Sequence, residues 1–298
     1  MMTLRQLADR FKTQEDCLAY LVAMRWPDGV YCPRCGTSEK VYKLAKPFKW
    51  QCKSCAPNGY KFSPLAGTIF ENTNYPLRDW FQVILLMCQA KKGISALQVQ
   101  RNVGMGSYRT AWYMCHRIRA AMLDPSFQKL TGVVEVDETY IGGKAKNRHG
   151  GGVGGGTKRG QGGRGQAGKV AVIGAIARKG SVVCQMIEAT DANTLESFVD
   201  ETIADNVDIV ATDEHAGYGR LTRRGLPHHA VSHSTGEYVR GQIHTSNIDS
   251  FWSLIKRGVF GNFHQVSKRY LPLYLNEFSF RHNNRENPDM FSTVLAGS

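Results

Sequence analysis

The run Val133-Val134-Glu135-Val136-Asp137-Glu138-Thr139-Tyr140 alternates apolar and polar residues and is rich in β-branched side chains, so it reads as a β-strand. The period of two turns Asp137 and Glu138 to opposite faces, which leaves Glu138 a solvated or supporting residue. Downstream, Lys169–Arg178 and Ser181–Glu188 read as two strands joined by a hairpin at Lys179-Gly180. A helix follows over Asn193–Ala204, then a strand over Val207–Thr212 that is closed by Asp213, and a short strand over His229–Ser232. Three strands, a helix and further strands predict a mixed sheet with helices on its faces, an α/β layer architecture in a chain that is α+β overall. Asp249, in His244-Thr245-Ser246-Asn247-Ile248-Asp249-Ser250-Phe251-Trp252, stands near the start of a further helix. If the strands of Asp137 and Asp213 are neighbours, those carboxylates reach one metal. With Asp249 they form a hard oxygen site suited to Mg²⁺ or Mn²⁺.

The chain has 298 residues and a formal net charge of +13. That balance calls for a polyanion, because neutralising phosphates releases counterions, and double-stranded DNA is the expected partner. No run reaches the roughly 18 apolar residues of a membrane span, and the N-terminus opens no apolar signal region. A cytoplasmic, nucleoid-associated protein without a membrane partner is expected.

Upstream lie two CxxC pairs, Cys32/Cys35 and Cys52/Cys55, with sixteen residues between them. This spacing fits a structural zinc site, in which two knuckles supply four thiolates in a closed tetrahedron. Val41–Leu44 and Tyr60–Ser63 read as the strands of a small ribbon, with a helix over Gln14–Arg25 capped by Thr13 packed on it. Cys17, Cys88, Cys115 and Cys184 fall in apolar segments and read as buried thiols. Next, Tyr75–Lys92 has amphipathic helical spacing. Ser95 then caps a short helix, Gly104-Met105-Gly106 makes a turn, and Ser107 opens a helix over Tyr108–Met122. The pattern matches a helix-turn-helix with Ser107, Tyr108 and Arg109 facing the bases, and Arg117 and Arg119 adding basic character. A helical hairpin with a basic face has the same pattern.

The block Val136-Asp137-Glu138-Thr139-Tyr140-Ile141-Gly142-Gly143, the Thr212-Asp213 strand end, the block from His244 to Trp252 and the tail Phe278-Ser279-Phe280-Arg281-His282-Asn283-Asn284-Arg285 together resemble the catalytic blocks of DDE transposases of bacterial insertion sequences. The similarity is to the group that sets a zinc ribbon and helix-turn-helix before an RNase H-like catalytic domain, and it runs from Cys32 to Arg285. The resemblance implies a transposase that binds insertion-sequence ends and catalyses metal-dependent cleavage and strand transfer. The catalytic acids would be Asp137, Asp213 and Asp249. The family's third acid is usually glutamate, so Asp249 is one methylene short. Glu237 is an alternative third donor. Two ions about 4 Å apart would clamp the scissile phosphate.

Helical spacing sets Asp249, Trp252 and Lys256 on one face. Lys256 and Arg257 are expected to hold DNA phosphate, and Trp252 to pack in the core or stack. Asn247 is expected to cap the helix, and His244 to orient phosphate or serve structure. Arg281 and Arg285 form an i,i+4 basic pair that touches DNA or lies on a solvated face. The glycine-rich stretch 142–168, with six interspersed lysines and arginines, reads as a basic arm that orders on DNA or as a passive linker. No G-x-x-x-x-G-K-[ST] phosphate loop occurs. The expected division is 1–72 (helix and zinc ribbon), 73–130 (helix-turn-helix) and 131–298 (catalytic). Handling two DNA ends calls for a homo-oligomer on DNA. A DNA-binding protein derived from a transposase but catalytically impaired, or an RNase H-like nuclease, are the alternatives.

Overall fold

The computed structural model describes residues 2–123, 127–142, 169–213, 216–221, 225–231 and 244–298. Contacts divide the chain into one compact unit made of Met1–Pro125 with Asn284–Ser298, and a second made of Ser126–Asn283. The arm at 143–168 and Glu237 lie outside the described residues.

In the first unit, α1 (Leu4–Arg10) and α2 (Gln14–Arg25) each begin with a capping box, on Thr3 and Thr13. Each box satisfies N-terminal N–H groups that the helix itself leaves unpaired. A three-stranded antiparallel ribbon follows, in order β1 (Val41–Lys43), β2 (Trp50–Cys52), β3 (Tyr60–Phe62). Its core is Trp26, Trp50, Phe62 and Ala66 around Cys32, Cys52 and Cys55, with Val22 of α2 packed against it. The α2–ribbon packing is thus as expected. Three helices follow: α3 (Leu77–Gln89), α4 (Ala96–Val103) and α5 (Tyr108–Ala121). Ser95 caps α4, and Gly104 ends it in the left-handed region at φ 73°, a conformation glycine adopts without Cβ strain. The chain ends in α9 (Met290–Ala296), which packs on α3 with Phe291 edge-on to Phe81 at 5.4 Å. The sequence pattern alone assigns none of α1, β2 and α9.

The second unit is built on β4 (Val133–Ile141), β5 (Val170–Ala177), β6 (Val182–Ile187), β7 (Ile209–Thr212) and β8 (His228–Ala230), in sheet order β6-β5-β4-β7-β8. The first three pair antiparallel, while β4, β7 and β8 run parallel. Both faces are covered. On one, Val134, Val136, Ile173 and Ala175 meet Leu195, Phe198 and Val199 of α6 (Ala192–Thr202). On the other, Ile141, Val172 and Ile176 meet α7 (Ser246–Gly258) and α8 (Leu271–Asn283). The mixed α/β layers expected from the order of strands and helix are present. The reason lies in β4 and β5, whose consecutive side chains feed opposite cores and therefore need a helical layer on each side.

Candidate active site

Strand pairing brings the first two acids together. Val133 pairs with Ile209, Val134 with Val210 and Glu135 with Ala211 in parallel register. Continuing that register sets Asp213 beside Asp137, just beyond the end of β7. Oxygen atoms of Asp137, Glu138 and Asp213 lie within 4.8 Å of one another. Glu138 does face away from Asp137, toward the layer of Tyr218, whose hydroxyl donates to Glu138 Oε1. Its carboxylate nevertheless reaches the same cluster. A glutamate side chain is long enough to reach back toward the neighbouring acids, which alternation alone did not reveal.

This crowding has an electrostatic signature. Burial, reinforced by the charges of Asp213, Glu138 and Asp249, pushes Asp137 up to about 7. Burial and the Glu138 carboxylate likewise raise the Tyr218 phenol, which keeps it a hydrogen-bond donor. A bound cation would relieve this repulsion, so the donor set fits a hard divalent ion.

The third acid arrives on α7. Trp252 is buried, at 2% exposure, and its Nε1–H donates to Asp137 Oδ2 at 2.9 Å. Of its two expected roles, core packing therefore holds, with a hydrogen bond to the first acid added. The indole lies against Gly174, the residue paired with Asp137 across β4 and β5. A Cβ on Gly174 would sit 2.6 Å from Trp252 Cη2. Upstream on the same face of β4, Glu135 is fully buried. It accepts from the backbone N–H groups of Asn247 (2.8 Å) and Ile248 (3.1 Å), from Asn247 Nδ2 (2.7 Å) and from Arg178 Nε (3.0 Å). Asn247 is thus held by Glu135; Thr245 is the residue at the N-cap position of α7. His244 Nδ1 stands 3.3 Å from Glu135, which gives it a structural contact.

An open cleft of about 570 Å³ forms over the acids, lined by Asp137, Glu138, Thr139, Asp249, Trp252, Ser253, Lys256, Arg257, Phe260 and Gly261. Asp249 is in the cleft but outside the 4.8 Å cluster. Lys256 and Arg257 bring cations to the cleft, and Phe260 brings an aromatic ring that is 60% exposed. Phe260 sits in a π-helical turn, Val259–Phe263, which continues α7. Sequence reasoning missed Glu135, Gly174, Tyr218 and Phe260. Glu135 had a usable signal, an acidic residue on a strand face that also carries Asp137 and must be buried.

In the first unit, the sulfur atoms of Cys32, Cys35, Cys52 and Cys55 cluster within 4.8 Å. Cys32 approaches Cys55 at 3.8 Å and Cys35 approaches Cys52 at 3.6 Å. These match the edge of about 3.8 Å in a tetrahedron with Zn–S bonds near 2.3 Å, so the set fits zinc. Ser107, Tyr108 and Arg109 are exposed at the start of α5, and Ser107 makes no side-chain cap bond. The basic face expected of α5 is smaller than its sequence suggests. Arg119 is buried at 1% exposure, against His116 Nδ1 at 3.2 Å, and Arg117 donates to the Glu71 carbonyl at 2.9 Å. In the second unit, Arg281 is buried and paired with Glu277, which removes it from any DNA-facing or solvated pair.

Residues 129–283 match the ISXO2-like transposase domain, and residues 12–58 match the transposase zinc-ribbon domain. A Halobacterium salinarum protein described as an uncharacterized protein in transposable element ISH50 is 30% identical over 281 residues, 91% of each chain. Among solved structures, a chain of a simian T-cell lymphotropic virus intasome in complex with a PP2A regulatory subunit aligns with 65% of this chain and 66% of its own length. It is 11% identical with a TM-score of 0.29, a likeness too slight to support an inference.

Proposed function

Because this chain belongs to the ISXO2-like transposase family, we propose that it binds the ends of an insertion sequence and catalyses metal-dependent DNA cleavage and strand transfer at the cleft over β4 and β7. The observation that carries the proposal is the convergence of Asp137, Glu138 and Asp213 beneath a cleft that also holds Asp249, Lys256 and Arg257. Acids alone would repel DNA. Acids that gather a cation, with lysine and arginine on the rim, suit a phosphodiester. The sheet order, with three antiparallel strands followed by two parallel ones, supports an RNase H-like reading of the catalytic unit.

In this reading Asp137 and Asp213 hold Mg²⁺ or Mn²⁺, Asp249 completes the site from α7, and Glu138 steadies it through Tyr218. The ions supply Lewis-acid stabilisation of the attacking and leaving oxygens. Trp252 keeps Asp137 turned into the cleft. Lys256 and Arg257 grip the phosphates on either side of the scissile bond, and Phe260 offers a flat surface to a base. Water attacks the phosphorus and breaks its bond to the 3′ oxygen, leaving a 3′-OH at the element end. That hydroxyl then attacks a target phosphodiester and displaces the target's 3′ oxygen. No covalent protein–DNA bond is needed. Ser107, Tyr108 and Arg109 read the terminal repeat in a major groove, and zinc on the four cysteines holds the ribbon folded. Two ends must be handled together, which calls for a homo-oligomer on DNA in the cytoplasm.

The position of Asp249 outside the tight acidic cluster keeps a second reading in view, a DNA-binding protein with impaired catalysis. The deciding experiment uses DNA ends taken from the sequence flanking the gene, with Mg²⁺ or Mn²⁺. Wild type is expected to cut and join, and Asp137→Ala and Asp249→Ala to do neither. Activity only in Asp249→Glu would support the impaired reading. Binding without cleavage in wild type and in Asp249→Glu would reject catalysis.

A further inference from the structure

We infer that Glu135 is a positioning residue that sets the register of α7 on β4 and thereby delivers Trp252 and Asp249 to Asp137. The inference rests on the proposed metal site for its functional meaning, but the geometry stands without it. Glu135 and Asp137 are two residues apart on one face of β4, about 6.7 Å along the strand. Their partners on α7 are the backbone N–H of Ile248 and the indole Nε1–H of Trp252, residues one turn apart on the helix. The strand thus holds the helix at two points, so a slip of α7 along β4 would break both bonds.

Glu135 is an expensive residue to use for this. A fully buried carboxylate is tolerated only when its lone pairs are filled, and here two backbone N–H groups, one amide and one guanidinium fill them. The two backbone donors belong to the first turn of α7, where unpaired N–H groups and the helix dipole favour an anion. An apolar side chain would pack there more cheaply, but without a preferred register. Arg178 adds a third anchor. It follows the end of β5, pairs with Glu135 and donates from Nη2 to the His244 carbonyl at 3.3 Å, tying the segment that leads into α7 to the same carboxylate.

The test follows the indole N–H of Trp252 by NMR in Glu135→Gln and Asn247→Ala, with the resonance assigned through Trp252→Phe. In the metal-free wild type this proton is bonded to Asp137 and exchanges slowly. In Glu135→Gln it is expected to exchange at least about tenfold faster, and in Asn247→Ala by a smaller factor. Trp80, whose Nε1–H donates to Thr73 Oγ1 at 2.8 Å in the other unit, should not change, which separates lost register from general destabilisation. A Mg²⁺ titration of the same resonance should then show roughly 10- to 100-fold weaker binding in Glu135→Gln. Unchanged Trp252 exchange in a folded Glu135→Gln would overturn the inference. If Glu135→Gln does not fold, unchanged exchange in both Asn247→Ala and Arg178→Gln overturns it instead. A wild-type resonance that ignores Mg²⁺ would reject the metal reading, while the exchange data still decide the role of Glu135.

Discussion

Replacing Gly174 with alanine adds a single methyl group at the most closely packed point of the site. The new Cβ would lie 2.6 Å from Trp252 Cη2, 2.7 Å from Cζ2 and 3.3 Å from Ile248 Cδ1. Carbon atoms settle at about 3.5–4.0 Å, so the indole must retreat by about 1 Å. It cannot do so alone, because Trp252 is buried within the core that α7 shares with the sheet. A shift of that size stretches the 2.9 Å bond from Nε1–H to Asp137 beyond useful hydrogen-bond length and carries Asp249 with it. Overpacking of this kind costs about 1–3 kcal/mol of stability, while a displacement of about 1 Å at reacting groups costs about 100-fold in rate. Gly174→Ala is therefore expected to remain folded, with a lowered urea midpoint, and to cut DNA ends about 100-fold more slowly. Adding Trp252→Phe removes the clashing ring atoms and should recover most of the stability. Activity should stay low, because the N–H that holds Asp137 is gone. Gly174→Ala with wild-type cleavage and an unmoved Trp252 indole resonance would refute the reasoning.

Chelating zinc, or Cys35→Ser, should unfold the ribbon core around Trp26 and Trp50, because a structural zinc contributes folding energy directly; tryptophan emission and released zinc report it together. The raised pKa of Asp137, about 7, lies above its unfolded value of about 3.9, so the folded protein holds a proton that the unfolded chain has lost. Its contribution to stability is then full below about pH 4 and is lost as pH rises to about 7. Urea melts of the metal-free protein at pH 5 and 7.5 should show this loss, and Asp137→Asn should reduce it. Mn²⁺ affinity should rise over the same window, as metal displaces the proton. Phe260→Ala should weaken binding of end DNA about tenfold, from a stacking contribution of about 1–3 kcal/mol per base, while Phe260→Tyr retains it; equal affinities for the two variants would remove the stacking role.

Much of what depends on local spacing is legible in the sequence, although α1 is missed despite the local capping box on Thr3. Two CxxC pairs define a four-thiolate cluster, since each pair needs only one turn of chain to bring its sulfurs together. The alternation in β4 and the continuous apolar run of β5 mark strands, and the capping residues Thr13 and Ser95 begin α2 and α4 where expected. Asp137 and Asp213 could be named as acids at strands, but not as neighbours. Their adjacency comes from the parallel pairing of β4 with β7, because register depends on which strands meet and not on either strand alone. The same limit explains Glu138, which joins the acidic cluster with Asp137 and Asp213, and Arg119 and Arg281, whose charges are buried against partners. It also explains Glu135 and Gly174. Their importance comes from a helix more than 70 residues further along the chain that packs over them, and a residue's meaning there is set by what covers it.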